Sequence, residues 1–139
     1  MNGSREHWPT YVDEHSTRLA AAPAAVWPQL RAFVDDWLAR NERSPLTRLL
    51  GTRPRAGFEV AEADEPHRLT LAGRHRFSRY VLDLRLTDER DGTTTASAAT
   101  YADFPGPHGF AYRTLVVRSG FHVLATRRLL RGLRDRVAG

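Results

Sequence analysis

Residues 74–104, "RHRFSRYVLDLRLTDERDGTTTASAATYADF", decide the fold. Within them Ser78, Tyr80, Leu82, Leu84 and Leu86 share one parity, and Arg79, Asp83 and Arg85 share the other. Alternation with a period of two predicts a strand with one buried face and one wet face. Asp91-Gly92 then gives a two-residue hairpin signal, because both residues tolerate positive φ. The Thr- and Ala-rich run at 93–104 predicts the returning strand, ended by Pro105-Gly106-Pro107.

Working outward, residues 57–63 and 67–72 predict two more strands, separated by a turn at Glu65-Pro66. Upstream, the period changes. From Ala24, the residues Val26, Trp27, Leu30, Phe33, Val34, Trp37 and Leu38 recur at spacings of three and four, the stripe of an amphipathic helix. Pro28 is read into its first turn, where a missing N–H leaves no bond unmade. Ser44-Pro45 opens a second short helix that runs to Leu50 and closes at Gly51. Residues 11–19 predict a first strand, and residues 1–10 a flexible N-terminal tail ahead of a single domain at 11–139. Downstream, residues 109–137 predict one long helix. Tyr112, Ser119, His122, Thr126, Leu129, Leu130 and Leu133 fall on its broad inward face.

The predicted order is strand, two helices, several antiparallel strands and a long helix. Helices segregated from a meandering sheet define an α+β domain. A length of 139 residues fits one such domain with one sizeable core. The chain has no Cys, which excludes disulfides, thiol nucleophiles and Cys-based metal sites. Its six His form no helical His-x-x-x-His pair and no HExxH motif, so no metal and no cofactor is expected. All 21 basic residues are Arg, and against 16 acidic residues they leave a net charge of +5. They are interspersed with Asp and Glu, so no nucleic-acid partner is expected. No apolar run approaches the roughly 20 residues that cross a bilayer, and nothing resembles a signal peptide. The expectation is a cytoplasmic protein without stable membrane insertion.

The order of elements resembles the START-like, or SRPBCC, superfamily. "LAAAPAAVWPQL" (19–30) resembles that superfamily's first strand running into a Pro-Ala-x-x-Val-Trp helix. "GRHRFSRYVLDLRL" (73–86) and "ADFPGPHGFAYRTLVVRSGFHVLATRRLL" (102–130) resemble an uncharacterised bacterial branch of it. The resemblance implies a helix-grip fold, in which a curved antiparallel β-sheet wraps around the long C-terminal helix. It further implies a cavity between the two that holds a lipid, polyketide or other apolar molecule. It assigns no reaction.

Several side chains are candidates for that cavity. His122, with Ser119 and Thr126 one turn to either side, interrupts an apolar stripe with polar groups. His122 is the best catalytic candidate, as acid, base or hydrogen-bond donor; the alternative is a core His bonded to a carbonyl or a Tyr. Arg74 and Arg76 are read in phase with inward Tyr80, where a guanidinium grips a carboxylate or phosphate; the alternative is a rim salt bridge, for example to Asp103. Tyr80, Tyr101, Tyr112 and Trp37 complete the set as ligand-orienting phenols and cavity wall, or as ordinary core. Phe110, Val117, Phe121 and Leu124 make a second stripe on the last helix, which suggests a homodimer or another covering element.

Three functions fit these readings. The first is binding of an apolar or amphipathic small molecule in the sheet–helix cavity. The second is a cyclase- or dehydratase-type enzyme using the same cavity. The third is a protein interaction module with a filled core.

Overall fold

The computed structural model describes residues 8–43, 45, 51–52, 54, 57–75, 78–103 and 121–138, with backbone alone for 75 and 121–125. Among the described residues seven elements are delimited, in chain order: β1 (Tyr11–Leu19), α1 (Pro23–Glu42), β2 (Glu59–Asp64), β3 (Arg68–His75), β4 (Ser78–Asp88), β5 (Thr94–Asp103) and α2 (Phe121–Ala138). The five strands form one antiparallel sheet in the order β1-β5-β4-β3-β2. This is the predicted α+β architecture, and the bounds of β1 match the sequence reading.

α1 begins at Pro23, whose fixed φ suits a first helical position. Its entry is held by the Thr94 hydroxyl, which donates to the Ala21 carbonyl at 2.6 Å. The helix starts earlier and runs longer than the sequence suggested, at 20 residues, so it is not short. Pro28 therefore lies in the second turn, where it removes the bond to the Ala24 carbonyl. The second short helix expected at 44–50 lies outside the described residues, apart from Pro45. The long helix expected at 109–137 is described from Phe121, and its C-terminal end agrees within one residue.

The core sits between one face of the sheet and the two helices. Leu69 and Leu71 of β3, Leu82, Leu84 and Leu86 of β4, and Ala96 and Ala98 of β5 face Val26, Trp27, Leu30 and Val34 of α1 and Leu129, Leu130 and Leu133 of α2. Each large apolar side chain sealed there contributes roughly 1.5–3 kcal/mol relative to exposure. Gly132 lets α2 approach α1: a Cβ there would stand 2.9 Å from the Phe33 ring. Asp36 and Arg136 join the helices beside this contact at 2.8 Å.

The opposite face of the sheet departs from expectation. Asp83 was read as facing water, yet it is 0% exposed, and Val81 beside it is 7% exposed. The cause is the N-terminal segment, whose residues 8–10 are docked rather than loose. Thr10 donates its backbone N–H and its hydroxyl to Asp103 Oδ1, each at 3.0 Å. Trp8 packs edge-on against Tyr101 at 4.9 Å, and the Arg68 guanidinium lies over its ring at 5.1 Å. Under this cover Asp83 accepts from Arg68 Nε at 2.9 Å, Arg85 Nε at 2.8 Å and the Thr70 hydroxyl at 3.3 Å. A carboxylate at this depth needs such partners, since burying it bare is prohibitive.

The Asp91-Gly92 hairpin is also longer than two residues. Asp88 pairs with Thr94 across it, and the Glu89 N–H donates to the Thr93 carbonyl at 3.1 Å. Arg90 and Gly92 take the positive φ values, 66° and 86°. Asp91 instead accepts from the Thr93 N–H at 3.0 Å and from its hydroxyl. β2, at the other edge, carries Glu59, Glu62 and Asp64, charges that discourage pairing with a further strand.

Candidate functional site

The inner face of the sheet changes character along its length. Around Leu69, Leu84 and Leu86 it is sealed by α1 and α2. Toward the start of β4 the side chains are aromatic and half-buried. The Trp37 ring, from the second half of α1, lies 5.1 Å from Phe58, and Phe58 lies 4.7 Å from Tyr80. The three rings form a continuous wall. Tyr80 anchors it: its hydroxyl donates to the Gly57 carbonyl at 2.5 Å. That approach requires Gly73, where a Cβ would sit 1.9 Å from the Gly57 oxygen and 2.7 Å from the Tyr80 ring. Trp37 and Tyr80 are brought together through Phe58, which the sequence reading did not single out.

Two of the expected site residues face the wrong way. Arg74 pairs in register with Arg79, and His75 with Ser78, so the chain reverses between β3 and β4. The reversal breaks the simple alternation that put Arg74 in phase with Tyr80. Arg74 stands exposed on the outer face with Arg79, whose guanidinium bonds Asp103 at 3.2 Å. Tyr101 pairs with Val81, so it too belongs to the outer face, where Trp8 and Tyr11 pack on it. Neither reaches the helix side of the sheet.

Thr126 is buried on α2, one turn before the sealed Leu129 and Leu130, as expected. His122 falls one turn earlier still; its backbone is helical and its side chain lies outside the description. Arg76, Tyr112 and Ser119 lie outside the described residues. So do Phe110 and Val117 of the second stripe, while Phe121 and Leu124 are described by backbone alone.

The sequence reading missed a polar pair on the same inner face. His15 pairs with Ala98, and Ala98 with Leu84; Asp13 pairs with Thr100, and Thr100 with Leu82. Both side chains therefore share the face of the core leucines. His15 Nε2 and Asp13 Oδ2 are 3.1 Å apart, with the side chains 20% and 21% exposed. The Thr100 hydroxyl beside them is buried, with no hydrogen-bond partner among the described residues. Parity with Leu19, counted back along β1, was the available signal: Asp13, His15, Thr17 and Leu19 alternate together.

Two grooves are lined by described residues, and neither opens on this inner face. One, of about 610 Å³, runs between α1 and α2 past Phe33, Arg40, Arg43, Gly132 and Arg136. The other, of about 390 Å³, lies on the outer face beside Glu59, Ala72, Arg74 and Arg79. No group of three potential metal ligands occurs among the described residues. No helix among them is long and apolar enough to cross a membrane.

An antiparallel sheet bearing an early helix on one face, with a C-terminal helix laid along that face, is a helix-grip fold. The comparisons with solved structures agree. The chain is similar to a conserved protein from Geobacillus kaustophilus, at 15% identity over 90% of this chain and 93% of that one, with a TM-score of 0.55. It is also similar to a truncated norcoclaurine synthase from Thalictrum flavum, at 11% identity over 87% and 92% of the two chains, with a TM-score of 0.54. At such identities the likeness shows the fold alone. No family model and no curated protein matches the sequence.

Proposed function

We propose that the protein binds an apolar or amphipathic small molecule, such as a lipid or polyketide, on the inner face of its sheet beneath the C-terminal helix. The observation that carries this reading is the contrast along that face. One end is closed by leucines at 0–8% exposure. The other presents three rings in contact that stay half-buried. Large aromatic surface held rigid yet incompletely covered is what a pocket for an apolar ligand requires. Ala102, which pairs with Tyr80 from β5, is a small inward neighbour of that wall.

Native mass spectrometry of freshly purified protein tests the reading, followed by soaking with candidate lipids and aromatic polyketides. A retained or acquired mass of a few hundred daltons is the expected result. Protein that stays bare with every candidate, and whose interior is filled, would be an interaction module instead.

A further inference from the structure

The groove between α1 and α2 has no part in the reading above. Its floor is apolar: the half-buried Phe33 ring lies against α2 at Gly132, and the exposed methyl of Ala39 stands beside it. Its rim is basic. Asp36, Arg40 and Arg43 follow Phe33 at spacings of three and four, so all four share one face of α1. Arg136 of α2 holds the Asp36 carboxylate at 2.8 Å, which makes that pair neutral. Arg40 and Arg43 are exposed and make no ion pair with a described residue. The other acids on this half of α1, Asp35 and Glu42, do not line the groove. Arginines near a helix C-terminus also complement the helix dipole. That end of α1 carries only about half a negative charge, so more than one positive charge is left over.

We propose that this groove is a second binding site, which takes a small carboxylic acid with a flat apolar body. The body lies on Phe33 and Gly132, and the carboxylate accepts hydrogen bonds from the Arg40 and Arg43 guanidiniums. Phe33 and Arg40 are seven residues apart, or about 10 Å along the axis. Helical side chains slant toward the N-terminus, so both guanidiniums reach back toward the ring and a two-ring acid bridges the remaining gap. The volume of about 610 Å³ lies in the range of small-molecule sites. The few described residues along the groove fall well short of the roughly 20–30 a side that a stable protein partner covers. The inference does not depend on the inner-face reading.

The test compares 2-naphthoate with 2-naphthamide, which has the same rings and no charge. Affinities are read by calorimetry on the full chain, and amide NMR locates each probe. Two exposed ion pairs predict that the acid binds about fivefold more tightly at low salt. Salt at about 1 M should erase most of that preference. The acid should shift Phe33, Arg40, Arg43 and Gly132. Arg40→Gln/Arg43→Gln should remove the preference and leave the amide's affinity unchanged, with thermal unfolding to check that the variant is folded. Equal affinities for the wild-type protein, a preference that survives the double variant, or failure of the acid to bind overturns the site. So do shifts by the acid confined to Trp37, Phe58 and Tyr80, although these would favour the inner-face reading.

Discussion

Replacing Asp83 with Ala separates the stability of this domain from its proposed binding. The carboxylate is 0% exposed and takes three hydrogen bonds, from Arg68, Arg85 and Thr70. Arg85 is 40% exposed, so water screens it and its share is at most about 1 kcal/mol. Arg68 is 18% exposed, lies over the Trp8 ring, and loses its carboxylate in the variant. Breaking a buried pair by removing one partner costs about 3–5 kcal/mol, since the other charge stays behind. We take the lower end, about 3 kcal/mol, because Arg68 is not fully enclosed. For a domain of this size that lowers Tm by about 10 °C. Urea unfolding at pH 7, followed by circular dichroism, measures the loss. The double variant Asp83→Val/Arg68→Met should recover most of it, because an apolar pair replaces a buried ion pair without a stranded charge. Ligand affinity per folded molecule should not change, as the network lies on the opposite face from Tyr80. A loss below about 1 kcal/mol for Asp83→Ala would refute the view that this network is a buried, mutually dependent unit.

Four further outcomes are expected. Gly73→Ala drives a methyl into the Gly57 carbonyl and the Tyr80 ring, so it should cost about 1–3 kcal/mol in chemical unfolding and weaken any aromatic ligand. Tyr80→Phe removes the bond to the Gly57 carbonyl and should lower stability by about 1 kcal/mol in the same assay. Leu133→Ala opens a hole where the side chain is 1% exposed, with an expected loss of about 2–5 kcal/mol. The Thr10 backbone N–H, the Thr10 hydroxyl and Arg79 all bond the Asp103 carboxylate, which holds its pKa below the ordinary 3.8 against the opposing effect of partial burial. A depressed pKa means that the stabilisation is fully present above that ordinary value and is lost as pH falls through the lower folded one. Carboxyl NMR should therefore give Asp103 a midpoint below 3.8, and Trp8 should leave the sheet together with it; a midpoint at or above 3.8 contradicts the docking of residues 8–10.

The fold was legible because its elements obey two periods that do not mix. β4 alternates from Ser78 to Leu86 and α1 repeats at three and four from Val26 to Leu38, and packing the two patterns together leaves few arrangements. The site was less legible, for three physical reasons. A tight reversal between His75 and Ser78 resets strand phase, so Arg74 was counted onto the wrong face. A segment from outside the sheet, Trp8 to Thr10, covers the outer face, and no period within β4 or β5 reports that, so Asp83 was read onto the right face but as wet rather than buried. The Asp13–His15 pair lies on a strand whose inner residues are mostly polar, so alternation of hydrophobicity is faint there, and the bulge between Tyr11 and Asp13 blurs it further. Phe58 precedes β2 and meets Trp37 and Tyr80 only in three dimensions.

The claim on which the rest depends is that a ligand lies on the inner face of the sheet. Amide and side-chain NMR of the labelled protein, titrated with 2-naphthol, tests it directly. Shifts should concentrate at Trp37, Phe58 and Tyr80, and should spare Asp83, Arg74 and Tyr101 on the other face. Shifts confined to the outer face, or to the groove between the helices at Arg40 and Arg136, would contradict it.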